Sequence, residues 1–220
     1  MRMLVCGMCH MTIAISLAAQ TVEPGATLLF VGEEFTSEEV PPTAAGEWWV
    51  LYPAGGSSRL ARATVVIDVF HDPCVDEAPT KASGRRVEVP GYDSVIALMR
   101  GVPGLAPGPI ASASLSPMRA GLAGAVEVVW SGGRSVINGV TAGDGYRVVL
   151  LTGTSADTLY STEWQDEGSW RVRWAGDLNR DGRLDVLLDA THKYSVATQR
   201  LFLSAAEGLH EVATFTHTAY

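Results

Sequence analysis

Cysteine is scarce in this sequence. Of three cysteines in 220 residues, Cys6 and Cys9 lie in the first ten, which leaves Cys74 alone in the body of the chain. One thiol makes no internal disulfide, so the densely stapled scaffolds of small secreted proteins are excluded. Cys74 reads as a small core residue, with pairing to another chain or a reactive thiol as the other options. Basic charge is also in short supply. Lys and Arg number 16 against 24 Asp and Glu, a net charge of −8, and no basic cluster occurs, which argues against nucleic-acid binding. No amphipathic helical period of useful length follows the N-terminus, and no apolar run is long enough for a membrane span. Common catalytic signatures are missing too: there is no G-x-S-x-G, no H-E-x-x-H and no G-x-x-x-x-G-K. Gly143-Asp144-Gly145 is a turn without a βαβ unit around it.

What is present is short β-type runs separated by turn clusters. The chain is 47% hydrophobic, which suits one large all-β domain or two small ones. Runs at 48–52, 60–70, 86–89 and 95–100 precede a second series at 126–130, 134–138, 146–152, 158–164, 170–174, 186–188, 198–203 and 211–216. Ser131-Gly132-Gly133 between two of them is a hairpin signal. The expected fold is all-β, an antiparallel β-sandwich or barrel-like or propeller-blade-like sheets, arranged as one body or two small β units. The expected division is a signal peptide at 1–19, an irregular leader at 20–46, an N-terminal β unit at 47–105 and a C-terminal β unit at 118–220. The Gly/Pro/Ser/Ala-rich stretch 101–117 reads as a loop or linker between the units.

The first twenty residues carry one basic residue, then a mostly apolar stretch ending in Ala18-Ala19, the outline of a secretory signal. This predicts a secreted or periplasmic protein with no transmembrane segment once the signal is removed. The same stretch contains Cys6-Gly7-Met8-Cys9-His10, a match to the c-type haem pattern C-x-x-C-H. Those thiols fall within the segment expected to be cleaved, and no helical cytochrome pattern surrounds them. The match is therefore set aside.

The most informative stretch is Asp177-Leu178-Asn179-Arg180-Asp181-Gly182-Arg183-Leu184-Asp185. Oxygen-bearing side chains recur at alternate positions, and a Gly stands sixth. Ca2+ takes about six to eight hard oxygen ligands at about 2.3–2.6 Å, and a short loop can point every second side chain at one ion. Asp177, Asn179, Asp181 and Asp185 are the candidate side-chain ligands, with Arg183 contributing its carbonyl oxygen. An EF-hand is excluded, because its twelfth position would be Leu188 rather than an acid and the apolar run that follows reads as a strand. A metal-free Asn-Arg-Asp-Gly turn is the plainer alternative.

The run 177–188, D-L-N-R-D-G-R-L-D-V-L-L, resembles the calcium loop and following strand of FG-GAP and VCBS-type repeats. The wider stretch 174–215, about a fifth of the chain, resembles the C-terminal part of small secreted bacterial proteins of uncharacterised role. In those, W-A-G-D leads through the loop to L-F-L-S, here Trp174 to Asp177 and Leu201 to Ser204. The resemblance implies a structural Ca2+ in an extracellular β protein. Propellers built of such repeats need several blades. Only one such loop occurs here, since the nearest echo, 142–151, lacks the ligands.

Other candidates carry less. Trp48, Trp49, Trp164, Trp170 and Trp174 could form a carbohydrate platform, but buried Trp more often fills a core. Glu163, Asp166 and Glu167 suggest a glycosidase pair or a solvated turn. His192, His210 and His217 are scattered, and Asp68 and His71 point to opposite faces of a strand. The function expected is a non-enzymatic binding or interaction module with one structural Ca2+ and a protein or glycan partner. The alternative is a calcium-dependent extracellular hydrolase of polysaccharide or ester type, which would bring Asp166, Glu167 and His192 into one pocket.

Overall fold

Sixteen strands and one 3-10 turn (Pro42–Ala44) account for the regular structure of the computed structural model, which describes residues 25–218 except 74, 79, 119 and 120. The signal-like segment, its C-x-x-C-H run and Cys74 lie outside the described residues. In chain order the strands are β1 (Thr27–Leu29), β2 (Glu34–Phe35), β3 (Gly46–Ala54), β4 (Ser57–Phe70), β5 (Gly84–Glu88), β6 (Ala97–Arg100), β7 (Gly108–Ser112) and β8 (Ser114–Leu115). The second half supplies β9 (Ala125–Trp130), β10 (Gly133–Ala142), β11 (Gly145–Thr152), β12 (Ser155–Thr162), β13 (Ser169–Asp177), β14 (Asp185–Thr191), β15 (Val196–Ala205) and β16 (Gly208–Thr218). The protein is all-β and its strand pairs are antiparallel, as the pattern of short runs predicts. No helix among the described residues is long and apolar enough to cross a membrane.

One sheet follows the path β1-β6-β3-β4-β7-β13-β14-β15-β16, with β5 and β2 branching from β4. Its two ends return toward each other, so the sheet is nearly closed and barrel-like. Phe30, just past β1, meets Phe215 of β16 edge-on with ring centroids 5.6 Å apart. Glu39 then spans the seam, its carboxylate accepting the Thr218 N–H at 2.8 Å and facing His217 Nδ1 at 3.2 Å. The second sheet, β12-β11-β10-β9-β8, is a meander of hairpins. Its β9–β10 turn is the anticipated one. Trp130 pairs with Gly133 across Ser131 (φ 48°) and Gly132 (φ 78°), the two left-handed residues that a twisted two-residue hairpin needs.

Three cores explain the apolar runs. The barrel interior holds Leu28, Trp49, Leu51, Met99, Trp174 and Leu187. A second core, with Val128, Ile137, Tyr146, Trp170, Val186 and Leu188, lies where the small sheet packs on β13–β15. The third, with Phe35, Val40, Trp48, Val50 and Val87, lies under the segment from 30 to 45. Strands β3, β14 and β15 are therefore covered on both faces, which is why Val186-Leu187-Leu188 and Leu201-Phe202-Leu203 are continuous rather than alternating. On β13, Trp170 and Trp174 would share a face by simple alternation. A register shift between Val172 and Trp174 turns Trp174 into the barrel and leaves Trp170 in the second core.

Two stretches differ from the sequence expectation. The segment 20–46, expected to be an irregular leader, contributes β1, β2 and a lid over the third core, with Trp48 Nε1 donating to the Ala44 carbonyl at 2.7 Å. The stretch 101–117, expected to be a loop, contains β7 and β8. There β7 pairs with β4 on one edge and with β13 at Gly176 and Asp177 on the other. Propensity argues against a strand in a Gly/Pro-rich segment, yet two sheet edges held close on either side supply the hydrogen bonds that override it. Through β7 the strands of 47–105 and β13–β16 join in one hydrogen-bonded sheet, while β8–β12 form the other.

Candidate metal centre

The loop between β13 and β14 begins at Asp177 and ends at Asp185, the first residue of β14. Its curl rests on Arg180 (φ 63°) and Gly182 (φ 83°), both left-handed. The side chains hold the curl from within. Asp177 accepts the Asp181 N–H at 2.9 Å and the Gly182 N–H at 3.0 Å, one on each carboxylate oxygen. Asn179 Oδ1 also accepts the Asp181 N–H, at 3.2 Å, and Asp181 accepts the Arg183 N–H at 2.8 Å. Leu178 is fully buried in the barrel core and pins the loop's first turn. The alternate spacing read from the sequence thus brings Asp177, Asn179 and Asp181 onto one loop interior.

Asp185 stands apart from these three. It is fully buried, and both oxygens are taken: Oδ2 by the Leu178 N–H at 2.7 Å, and Oδ1 by Ser204 through its N–H at 2.8 Å and its hydroxyl at 3.1 Å. Burial pushes its pKa up to about 6 and the charge of nearby Asp181 adds to the rise, against the lowering effect of these hydrogen bonds. Arg183 gives its N–H to Asp181 and turns its guanidinium to the Ala205 carbonyl. Arg180 likewise reaches away, to the carbonyls of Pro107 at 3.0 Å and Pro109 at 3.4 Å. The loop is therefore stitched to the turn before β7 and to the β15–β16 turn. Among the described residues no basic side chain forms an ion pair with Asp177, Asp181 or Asp185, although ion pairs elsewhere occupy Asp189, Glu127 and Glu211.

No group of three or more His, Cys, Asp or Glu side chains that could hold a metal converges among the described residues. The loop's oxygens are turned onto its own amides instead. Each carboxylate oxygen has two acceptor sites, so one hydrogen bond leaves capacity for a cation. The donor set is all hard oxygen, the kind Ca2+ takes and softer metals do not favour.

Of the remaining candidates, Asp166 and His192 are neighbours, the Asp166 N–H donating to the His192 carbonyl at 2.7 Å, and the others are spread over the fold. Trp48 and Trp49 face opposite sides of β3, and Trp170 and Trp174 are buried core residues. Trp164 is 52% exposed, with its ring edge-on to His192 at 4.9 Å. Glu163, Asp166 and Glu167 form an exposed tip, where Asp166 bridges to Lys193 through the backbone. Near His71 the acid within reach is Asp76, at 3.6 Å. His210 lies near Glu207, and His217 is the buried partner of Glu39.

Two open grooves flank β13–β15. One, of about 410 Å3, runs past Phe30, Arg171, Arg173, Tyr194 and His217, with Asp189 held between the two arginines. The other, of about 420 Å3, runs past Trp130, Asp157, Arg183 and Ser204. Asp166, Glu167 and His192 line neither of them. The sequence reading missed Ser204, whose amide and hydroxyl hold Asp185, and Trp130, which lines the second groove. Ser204 ends the L-F-L-S run, but nothing local tied it to the loop. No family model matches the chain, and no curated protein or solved structure matches it either.

Proposed function

We propose that the chain is a non-enzymatic β-rich module, secreted or periplasmic, whose 177–185 loop holds one structural Ca2+ and whose role is to bind another molecule. One observation carries the metal reading. Asp177 and Asp181 face the loop's own amides and Asp185 stands at its base, none with a basic partner among the described residues, while the loop's own Arg180 and Arg183 turn their guanidinium groups to carbonyls of neighbouring turns. Bound Ca2+ would supply the positive charge that these carboxylates lack. Asp177, Asn179 and Asp181 would ligate through side-chain oxygens and Arg183 through its carbonyl. Asp185 would join from the loop's base through Oδ2, which accepts a single hydrogen bond, since Oδ1 already accepts two.

The chain's own part is to hold the curl and spread its effect. Arg180 ties the loop to the approach to β7, and Asp185 and Arg183 tie it to the β15–β16 turn. A filled loop would act as a staple between the two halves of the nearly closed sheet. The hydrolase alternative asked for Asp166, Glu167 and His192 in one pocket; Asp166 and His192 are backbone neighbours on an exposed tip, and none of the three lines either of the two grooves. The test is a calorimetric Ca2+ titration of the full chain beside Asp181→Ala. Saturable uptake near one ion per chain, lost in the variant, is expected. No uptake by the wild-type chain would reduce the loop to a hydrogen-bonded turn.

A further inference from the structure

The core face of the small sheet extends past its core. Along β9, Val126 and Val128 are buried against β13–β15, and Trp130 follows on the same face at the open end. The cross-strand partners continue that face. Ser135 pairs with Val128 and with Thr152, and Asp157 pairs with the buried Leu150. The facing wall is the end of the metal loop, Arg183 and Leu184, together with Ser204 and Leu209. The space between them is the groove of about 420 Å3.

Its chemistry is mixed in a particular way. Trp48, Trp170 and Trp174 each donate their indole N–H to a protein oxygen. Trp49, Trp48 and Trp164 each have a guanidinium or imidazole ring against them. Trp130 has neither an acceptor for its N–H nor a ring or cation on its faces among the described residues. The Asp157 carboxylate, beside Gly208, has no hydrogen bond or ion pair among the described residues. Arg183 spends one guanidinium nitrogen on Ala205, and its others have no partner among the described residues. Ser135 and Thr152 add a hydroxyl pair at 2.8 Å. An open aromatic face, a free carboxylate acceptor, a planar donor and hydroxyls around an aliphatic floor match a sugar ring, which has an apolar C–H face and a rim of hydroxyls.

We propose that this groove binds a neutral saccharide, with Trp130 stacking on the ring and Asp157 and Arg183 hydrogen-bonding its hydroxyls. The groove is lined by one acid, Asp157, and two bases, Arg183 and Arg134, and Arg134 is ion-paired with Glu127 at 2.8 Å, so the remaining charges balance and nothing in it selects for a charged ligand. The proposal gives the module of the preceding section its partner class and rests on that reading. The metal loop also enters the groove physically. Arg183 and Leu184 belong to the loop, and Asp185 holds Ser204 of the same wall. Filling the loop should therefore tighten saccharide binding.

The experiment is saturation-transfer NMR and calorimetry on the full chain with cello-, manno- and chito-oligosaccharides, with oligogalacturonate as the anionic control, in Ca2+ and in EDTA. At least one neutral series is expected to bind. Trp130→Ala and Asp157→Asn should each weaken it by roughly tenfold or more, as loss of a central anchor does. Arg171→Ala in the opposite groove should leave it unchanged. If Trp130→Ala does not fold, Asp157→Asn carries the test, because the Asp157 carboxylate has no hydrogen bond or ion pair among the described residues and its backbone pairing with Leu150 is unchanged by the substitution. Absence of binding by every neutral series, or binding indifferent to both variants, would overturn the proposal. Ca2+ uptake measured on the same samples separates the two readings. Uptake without saccharide binding overturns the groove alone, and saccharide binding without uptake overturns the metal reading alone.

Discussion

Asp185 shows how one residue changes meaning once its surroundings are known. From the pattern alone, Asp185→Asn is the mild variant, because an amide oxygen can also coordinate Ca2+. In the fold, every group facing its two oxygens donates: the Leu178 and Ser204 amides and the Ser204 hydroxyl. An asparagine amide would turn its NH2 toward one backbone N–H and leave it unpaired. Asp185→Asn should therefore cost about 1–3 kcal/mol even in EDTA, read as a lower urea midpoint at unchanged slope. Asp177→Ala and Asp181→Ala, at the looser outer part of the loop, should instead lose the stabilisation by Ca2+. Glu39 supplies one part of the pH dependence, beside Asp76, which hydrogen bonds from Ser83 and Asp72 hold down to about 2, and Asp185, which burial pushes up to about 6. Burial raises the Glu39 pKa, but the N–H groups of Thr36 and Thr218 and the charge of His217 outweigh that and hold it below the ordinary value. A depressed carboxylate stabilises the fold above its unfolded pKa of about 4.3 and loses that contribution as pH falls through the folded value. Wild-type stability should thus drop on acidification below about pH 4.5. Glu39→Gln, less stable near neutrality by about 1 kcal/mol, should approach the wild type at low pH. Urea titrations of both across that range check it.

At the scale of the element, β7 is the least legible strand and the most consequential. Its Gly/Pro-rich sequence reads as a linker, and only two waiting sheet edges make it a strand. Gly176 of β13 permits the approach. A Cβ there would lie 2.3 Å from the Ala111 carbonyl oxygen and 2.5 Å from the Trp174 ring. Gly176→Ala should push β7 from β13 at a cost of about 1–3 kcal/mol. The measurement is amide hydrogen exchange, with faster exchange expected at Ala113, whose N–H donates to the Ala175 carbonyl at 2.8 Å. Unchanged protection there would mean that β7 is held from the β4 side. Hairpins, by contrast, were legible, because their turn chemistry is local: Ser131-Gly132 needs no distant partner to set its left-handed turn.

For the whole molecule, the loop's ties to the turn before β7 and to the β15–β16 turn would make calcium binding, as proposed, a matter of global stability. An ion that binds the folded chain alone adds about 2.7 kcal/mol at a hundred times its dissociation constant. The wild-type Tm should therefore be several degrees higher in millimolar Ca2+ than in EDTA, about 2–4 °C per kcal/mol for a chain of this size. Asp181→Ala should melt at the same temperature in both. Equal wild-type melting in the two buffers would count against the metal reading. The nearly closed sheet also makes the seam a shared dependency. Phe30, Glu39, Phe215 and His217 come from the two ends of the chain and meet only when every strand between them is in place.

Local patterning was enough for the all-β class, most strand positions and the curl of the 177–185 loop, because period-two alternation, turn residues and short oxygen-bearing side chains at alternate positions act over a few residues. It also determined that Trp48 and Trp49 face apart, since alternation fixes that. The tertiary structure alone decided which apolar runs are walls shared by two cores, that a bulge sends Trp170 and Trp174 to different cores, and that β7 is a strand. It also decided that Asp185 is held by Ser204, and that Trp130, Asp157 and Arg183 line one groove. Those outcomes depend on pairings between residues far apart in the chain, and the free energy that selects them arises only when the sheets pack.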